Sequence, residues 1–288
     1  MTDAPGPASA SASAAASASA AGTDAATRET LSVLERYYDA APRPLATTEE
    51  LGGFTVFLRR DPAGWPYYAR PRLGCSETFT AADVAAVRAR QRELGVPEAL
   101  EWVHQTTPSL LAAARADGLT VHQCPLLVLG GATPEPTPPA GGRVAVLRAD
   151  SPDLAAVDAA VHAGFSGVDA VEHEGAGADD PGAASAWKSG LLADGLLVTA
   201  GAFDETGRAV GGGSHAPRGD TTELAGIAVI PSARRRGFGA ALTHLLAAEA
   251  RSRGVGTVFL SAQDDAVARV YERVGFVRVG TACVAEPS

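Results

Sequence analysis

The stretch 222–254 constrains the fold most, because it reads as a buried strand, a stop, a loop and a helix in immediate succession. The apolar run "TELAGIAVI" predicts the strand, and Pro231 ends it. Gly237 and Gly239 open the predicted helix, whose leucines recur at helical spacing. Gly254 fits the position just beyond the last helical turn. A strand that passes directly into a helix indicates an α/β domain.

The rest of the C-terminal part alternates in the same way. Ser151 and Pro152 suit the start of one helix, and Asp264 or Asp265 suits the cap of a short helix that Gly275 ends. The sequence predicts further strands at 143–149, 195–203, 209–216 and 257–262, a last strand from Phe276, and a second helix in "AASAWKSGLL". We therefore expect a mixed, mostly antiparallel sheet flanked by helices.

The N-terminal part contains a fainter copy of this ending. Between Gly95 and Gly118 the chain predicts a strand, a turn, a short helix and a glycine stop, as it does between Gly254 and Gly275. A helix capped by Thr80 precedes the first copy. The match favours an internal duplication, two tandem copies of one fold. A chance likeness between two α/β modules is the alternative.

Composition divides the chain into four segments. Residues 1–27 are rich in Ala and Ser, and their stretch "SASASAAASASAAG" has no large apolar side chain to bury, which predicts a disordered tail. Residues 131–142 are rich in Pro and Gly, which predicts a linker. The predicted domains are therefore 28–130 and 143–288, a reasonable division for 288 residues at roughly 150 per domain.

Charge and cysteine content exclude several classes of function. A net charge of −9 argues against nucleic acid or an acidic membrane surface as a partner. Three widely spaced cysteines, without a Cys/His cluster, favour free thiols and no metal site. No apolar run approaches the ~20 residues of a membrane span, and the N-terminus does not read as a signal peptide. We expect a cytoplasmic protein, and the sequence does not indicate its oligomeric state.

The loop "PSARRRGFGAAL" (231–242) has the features of an anion site. The first N–H groups of a helix have no internal partner, and the helix dipole adds positive charge there. Glycines let a phosphate approach the backbone closely. The motif lacks the Lys-Ser/Thr of a P-loop and the third glycine of a dinucleotide fingerprint. An ordinary loop with solvated arginines is the alternative, and the net acidic charge disfavours duplex DNA.

The motif "RRRGFGA" resembles the Arg/Gln-x-x-Gly-x-Gly/Ala motif of the GNAT (GCN5-related) N-acetyltransferases. The whole stretch "ELAGIAVIPSARRRGFGAALTHLLAAEARSRGVGTVFLSAQDDAVARVYERVGF" is similar to that family, down to the Tyr-x-x-x-Gly-Phe ending at Tyr271, Gly275 and Phe276. The resemblance covers 142–288 well and 30–130 weakly. It implies the acyl-CoA N-acyltransferase fold, and acetyl-CoA as the acetyl donor without a metal.

The resemblance also implies which residues hold acetyl-CoA. The backbone of Ile227, Ala228 and Val229 would hold the pantetheine arm and the acetyl group. The pyrophosphate would be held at the motif residues, which are Arg234, Arg235, Arg236, Gly237, Phe238, Gly239 and Ala240. The side chains of Arg235 and Arg236 would add charge, for example toward the 3′-phosphate. Many members have Asn seven residues before the Tyr, and Asp264 stands there in this chain, so that cofactor contact is open.

Tyr271 and Glu223 are the candidate catalytic residues. Tyr271 would protonate the leaving thiolate, because an ordinary tyrosine is protonated at pH 7; a core tyrosine is the alternative. Glu223 precedes Ile227 by four residues, which predicts the same face of the strand, and some members use a Glu there as base. A solvated or ion-paired Glu is the alternative, and His215 or water is a second candidate base.

The acceptor would be a primary amine of a small molecule or peptide. The connection 168–180 carries five acids, which would suit a cationic amine or simply form a solvated loop: Asp169, Glu172, Glu174, Asp179 and Asp180. The N-terminal copy has no glycine motif, and Ala114 stands where Tyr271 stands in the other copy, so we expect it not to catalyse. The alternative function is a non-catalytic acyl-CoA-binding sensor or scaffold.

Overall fold

The computed structural model describes residues 25–131, 136–169 and 181–288. The helices are α1 (25–40), α2 (Ala81–Glu93), α3 (Ser109–Ala116), α4 (Leu154–Ser166), α5 (Pro181–Ala193), α6 (Phe238–Ser252) and α7 (Asp265–Glu272). The strands are β1 (Ala46–Leu51), β2 (Phe54–Arg59), β3 (Ala69–Pro71), β4 (Leu100–Val103), β5 (Leu119–Leu129), β6 (Gly142–Leu147), β7 (Val198–Asp204), β8 (Ala209–His215), β9 (Thr221–Val229), β10 (Thr257–Ser261) and β11 (Phe276–Pro287).

The strands of the described residues form one mixed sheet in the order β1-β2-β3-β4-β11-β5-β10-β9-β8-β7-β6. Pairing is antiparallel except between β3 and β4 and between β9 and β10. If β6 is left out, each strand of one half has a counterpart at the same distance from the other end of the sheet. From one end the strands are β1, β2, β3, β4 and β11, and from the other they are β7, β8, β9, β10 and β5. The sheet therefore repeats one arrangement in the two parts of the chain.

The last strand of each part lies in the other part of the sheet. Strand β5 pairs with β10, and strand β11 pairs with β4 as well as with β5. The cores follow this exchange: Leu127 of β5 is fully buried in the C-terminal core, and Cys283 and Ala285 of β11 are fully buried in the N-terminal core. The two parts thus share one continuous sheet.

Helix α1 packs across the junction of the two parts. Its buried side chains Leu31, Leu34, Tyr37 and Tyr38 form a cluster with residues of β4, β5, β10 and β11. The Tyr37 hydroxyl donates to the carbonyl of Ala216 at 2.7 Å, which fixes the helix to the loop after β8. The helix begins at residue 25, inside the segment 1–27 that the sequence predicts as a tail, and residues 1–24 lie outside the described part.

Most of the predicted elements are confirmed. Thr80 caps α2, and its hydroxyl and the Asp83 side chain form a reciprocal capping box. The strands predicted at 195–203 and 209–216 form an antiparallel pair, β7 and β8. The sequence analysis did not predict α1 or the three strands β1–β3. Strand β3 has only three residues, too few to show a periodic pattern.

Strands β9 and β10 diverge in the centre of the C-terminal part. In the described pairing their contact is confined to 221–223 against 257–259. Beyond Glu223, strand β9 continues to Val229 while β10 pairs with β5 on its other side. Gly226, with φ of 65°, forms a bulge in β9 where the register against β8 shifts. The divergence leaves the backbone edge of β9 that faces β10 open after Glu223.

Candidate active site

The loop before α6 exposes a row of backbone amides. Arg235 and Gly237 have positive φ, 62° and 88°, which turns the chain sharply into the helix. The amide of Ala241 donates within the helix, to the carbonyl of Gly237. The amides before it in the first turn have no acceptor inside a helix. A Cβ at Gly239 would meet no heavy atom within 4 Å, so a ligand has room to approach.

Two of the three arginines of this loop support its structure. The Arg234 side chain donates to the carbonyls of Val229 and Gly164, at 3.0 and 2.7 Å. The Arg236 side chain donates to the carbonyls of Ala140 and Gly141, at 3.1 and 2.9 Å. Both guanidinium groups therefore hold neighbouring segments in place. The exposed Arg235 is the arginine whose charge faces solvent.

The end of β9 packs tightly under α4. A Cβ on Gly164 would lie only 3.0 Å from the amide nitrogen of Val229 and 3.1 Å from the Cβ of Ala228.

The bulge at Gly226 reverses the face of the sheet to which the following side chains of β9 point. A Cβ on Gly213 would contact both Ile227 and Leu246 of α6, so Ile227 faces α6.

The predicted common face of Glu223 and Ile227 is therefore wrong, because the bulge adds one residue between them. Glu223 faces a cavity of about 330 Å³ at the junction of the two parts. Residues of both parts line this cavity: Tyr38, Tyr68, Arg70, Glu101, Trp102, Glu223, Leu224, Ala225, Gly226, Ser261, Ala282, Cys283 and Val284.

Glu223 is held in this cavity by two hydroxyl donors. The Tyr38 hydroxyl donates to Oε1 of Glu223 at 3.1 Å, and the Ser261 hydroxyl donates to the same atom at 3.4 Å. Burial, and after it the negative charge of Glu101, raise the pKa of Glu223 to about 7, against the opposing effect of these hydrogen bonds and of the Arg70 charge. A carboxylate that titrates near neutral pH is suited to accept and release a proton.

A charged cluster from the N-terminal part faces Glu223, and the sequence analysis missed it. Arg70 is 3% exposed and lies against the Tyr38 ring, 4.4 Å from Cζ to the ring centroid. It forms an ion pair with Glu35 at 3.2 Å and approaches Glu101 at 4.0 Å. These residues lie on α1, β3 and β4, so no local motif could have connected them with Glu223.

His215 lies on the other face of the sheet. Its Nδ1 is 3.0 Å from the Thr222 hydroxyl and its Nε2 is 2.6 Å from Oε2 of Glu249 on α6. Thr222 and Glu223 are consecutive in β9, so their side chains point to opposite faces. Burial lowers the pKa of His215, with Glu249 opposing that change. His215 is a buried structural residue away from the cavity.

Tyr271 lies on α7, outside the residues that line the cavity. Its ring packs edge-on against Phe276, 6.1 Å between centroids. Burial raises the pKa of Tyr271 to about 12, and within the described residues its hydroxyl has no hydrogen-bond partner. Asp264 caps α7, accepting from the amides of Ala266 and Val267 at 2.8 and 2.9 Å. The Asp264 carboxylate therefore acts as the N-cap of α7.

Most of the acidic connection lies outside the described residues, including Glu172, Glu174, Asp179 and Asp180. Asp169 is described, and its carboxylate accepts the amide of Ser232 at 2.8 Å, which places the connection against the loop before α6. Among the described residues, no group of three His, Cys, Asp or Glu side chains is arranged to hold a metal ion. No helix within residues 25–131, 136–169 and 181–288 is both long enough and apolar enough to cross a membrane.

One known family matches the part of the chain that contains the first turn of α6 and the divergence of β9 from β10. Residues 171–276 match the model of the acetyltransferase (GNAT) family. This stretch is a GNAT domain. It contains β7 to β10, α6, α7 and the glycine motif. The fold is the mixed sheet with flanking helices that the family resemblance implied.

A curated relative is also an acetyltransferase. The chain is 44% identical over 69 residues to a mycothiol acetyltransferase of Rhodococcus erythropolis, a match that covers 22% of this chain and 23% of that relative. The chain therefore spans about a quarter of that relative's length.

The solved structures share the fold of the GNAT domain and the strands around it. A GCN5-related N-acetyltransferase from Kribbella flavida matches 90% of this chain and 96% of its own, with a TM-score of 0.61 and 20% identity. A tandem GNAT protein from the clavulanic acid biosynthesis pathway matches 85% of each chain, with a TM-score of 0.51 and 16% identity.

Proposed function

We propose that the protein transfers an acetyl group from acetyl-CoA to a primary amine by direct attack. The observation that carries this proposal is the position of Glu223, which lines a cavity at the residue where the pairing of β9 with β10 ends, with a pKa raised to about 7. The open amides before α6 and the free edge of β9 support acetyl-CoA as donor. The mycothiol acetyltransferase relative supports the same class of reaction.

In this proposal Glu223 takes the proton from the incoming ammonium group, directly or through water. The neutral nitrogen attacks the thioester carbonyl, whose developing negative charge is stabilised by the backbone N–H groups of Ile227 and Val229 on the open edge of β9. The C–S bond then breaks as the amide forms. Tyr271, which stays protonated because of its raised pKa, gives its proton to the leaving thiolate. Ser261 and Tyr38 keep the Glu223 carboxylate oriented throughout.

We propose further that the N-terminal part is a degenerate copy that does not bind acetyl-CoA. Its helix α2 corresponds to α6 in the repeated strand order, but the Thr80–Asp83 capping box occupies its first amides. The Asp83 carboxylate would also repel a phosphate at that position. In α3, Ala114 is fully buried where the other copy has Tyr271. The N-terminal part instead supplies one wall of the acceptor cavity.

Two measurements test the proposed function. Calorimetry should detect acetyl-CoA binding with one site per chain, and a panel of primary amines should include at least one that releases the CoA thiol with acetyl-CoA present. A chain that shows no binding at millimolar acetyl-CoA contradicts the proposal at its first step. Binding without thiol release from any amine would instead favour a non-catalytic acyl-CoA sensor.

A further inference from the structure

The acceptor cavity holds more negative charge than a single general base requires. Glu101 of β4 lines it together with Glu223 of β9, and the two carboxylates come from different parts of the chain. Arg70 is the one cation among the described residues that line the cavity. Its charge is already offset, because Nη2 of Arg70 pairs with Glu35 at 3.2 Å.

Glu101 contacts this arginine only weakly. The closest approach of Nη1 of Arg70 to Oε2 of Glu101 is 4.0 Å, at the limit of an ion pair. Among the described residues, no side chain or backbone amide donates a hydrogen bond to the Glu101 carboxylate. The Glu101 side chain is 30% exposed, so its carboxylate is partly desolvated yet open to the cavity, where a cationic ligand can pair with it.

The surroundings of Glu101 also suit a cation. Tyr38 and Tyr68 line the same cavity, and their rings already hold one cation, the Arg70 guanidinium, whose Cζ lies 4.4 and 5.8 Å from the two ring centroids. The groups that face Glu101 are Arg70 on β3, Tyr38 on α1, Tyr68 before β3, Glu223 on β9 and Cys124 on β5, and Glu35 on α1 pairs with Arg70. With both cavity glutamates ionised, this set has an excess of negative charge.

We propose that the acceptor is an amine with a second cationic group, and that Glu101 binds that second group while Glu223 deprotonates the reacting nitrogen. This inference rests on the proposed acetyl transfer and assigns its substrate class. The N-terminal part then has a specific task, which is to select dicationic acceptors. An acceptor with a single amine would leave the Glu101 carboxylate without a cationic partner of its own.

Burial raises the pKa of Glu101 to about 7, with Arg70 opposing that change. Both cavity glutamates should therefore be ionised at pH 8. The test compares 1,4-diaminobutane with 4-amino-1-butanol at that pH, following thiol release from acetyl-CoA. These probes have the same reacting amine and differ in one terminal cation. In the unmodified protein we expect kcat/KM to be at least about tenfold higher for the diamine.

The variant Glu101→Gln should bring this ratio down to about two, the statistical value for two equivalent amines against one. A change in the pKa of Glu223 cancels in the ratio, because both probes depend on the same base. Glu286→Gln is the matched control: this glutamate on β11 is exposed, contacts exposed His122 at 3.5 Å and lies outside the cavity lining, so the ratio should stay at its original value.

A second measurement does not depend on the variant folding. In the unmodified protein, the preference for the diamine should fall as the pH is lowered from 8 to 6, because protonation neutralises Glu101. A kcat/KM ratio at pH 8 no higher than the statistical value, or a preference that Glu101→Gln leaves intact, overturns the inference while acetyl transfer itself stands. Acetyl-CoA binding without turnover of any amine overturns the proposed function, and this inference with it.

Discussion

The phenol of Tyr38 donates a hydrogen bond to the carboxylate of Glu223 at 3.1 Å, although the two residues are 185 positions apart in the chain. Tyr38 belongs to α1, which packs over the junction of the two parts, and Glu223 belongs to the GNAT domain. The ring of Tyr38 is in turn covered by the Arg70 guanidinium and packs edge-on against Phe259 at 5.3 Å. The proposed base is thus oriented by a residue outside its own domain.

Replacing Tyr38 by Phe should raise the pKa of Glu223, because the hydrogen bond favours the ionised carboxylate. The acidic limb of the kcat/KM profile, near pH 7 in the unmodified protein, should move to higher pH by about one unit. A series of rates from pH 5 to 9 with one amine measures the shift. Tyr68→Phe is the control, since Tyr68 lines the same cavity without bonding to Glu223. Identical profiles for Tyr38→Phe and the unmodified protein would refute the role of this hydrogen bond.

Replacing Glu223 by Gln should lower kcat by about 10²- to 10⁴-fold, the usual contribution of a general base. Acetyl-CoA binding should change little, because the amides proposed to hold the donor lie on α6 and at the end of β9. Stopped-time thiol release and calorimetry on the same preparation separate the two effects. A Glu223→Gln variant with unchanged kcat would show that water or another group accepts the proton.

Tyr271→Phe should lower kcat by about 10²-fold and leave acetyl-CoA binding intact, because only the acid that protonates the thiolate is removed. Burial raises the pKa of Tyr271 to about 12, so the unmodified protein should keep its activity from pH 8 to pH 10. Initial rates across that range check this expectation. A fall in rate centred below pH 10 would assign the acid to a group other than Tyr271.

Gly239→Val should weaken acetyl-CoA binding by about tenfold or more without unfolding the protein. A Cβ at Gly239 meets no protein atom within 4 Å, so the new side chain would fill the space that a phosphate needs and block the charge-assisted bonds to the amides. Calorimetry gives the affinity and thermal unfolding gives the stability. Gly190→Val on α5, where a Cβ is equally free of contacts, should leave affinity unchanged. Equal affinities for both variants would place the phosphates elsewhere.

Leu127→Ala should lower the free energy of unfolding by about 2–5 kcal/mol, the range for a fully buried leucine. Leu127 lies in β5 but is buried in the C-terminal core, so the loss should appear in one transition of the whole sheet. Urea unfolding followed by both far-UV circular dichroism and tryptophan fluorescence tests this. Leu73→Ala, at a position that is 46% exposed, should cost little. Two separate transitions, with the C-terminal one unaffected, would contradict a shared core.

The sequence predicts what is local and misses what is brought together over distance. Pro231, Gly237 and Gly254 act on the backbone around them, so the strand, loop and helix of the motif could be predicted with nearly correct bounds. The exchange of β5 and β11 could not, because strand order depends on pairings between distant segments. Arg70 and Glu101 were missed for the same reason, since each is an ordinary charged residue until the fold places it beside Glu223. The bulge at Gly226 reversed a prediction based on regular alternation.

The exchange of β5 and β11 has a consequence for how the protein is made. Strand β5 is complete at Leu129, but its neighbours β10 and β11 come about 150 residues later. At the usual speed of a ribosome, the N-terminal strands wait on the order of ten seconds with β4 and β5 unpaired on facing edges. Exposed edges of that kind recruit other strands. Nascent chains of this protein should therefore depend on chaperones during synthesis more than a chain that folds one domain at a time.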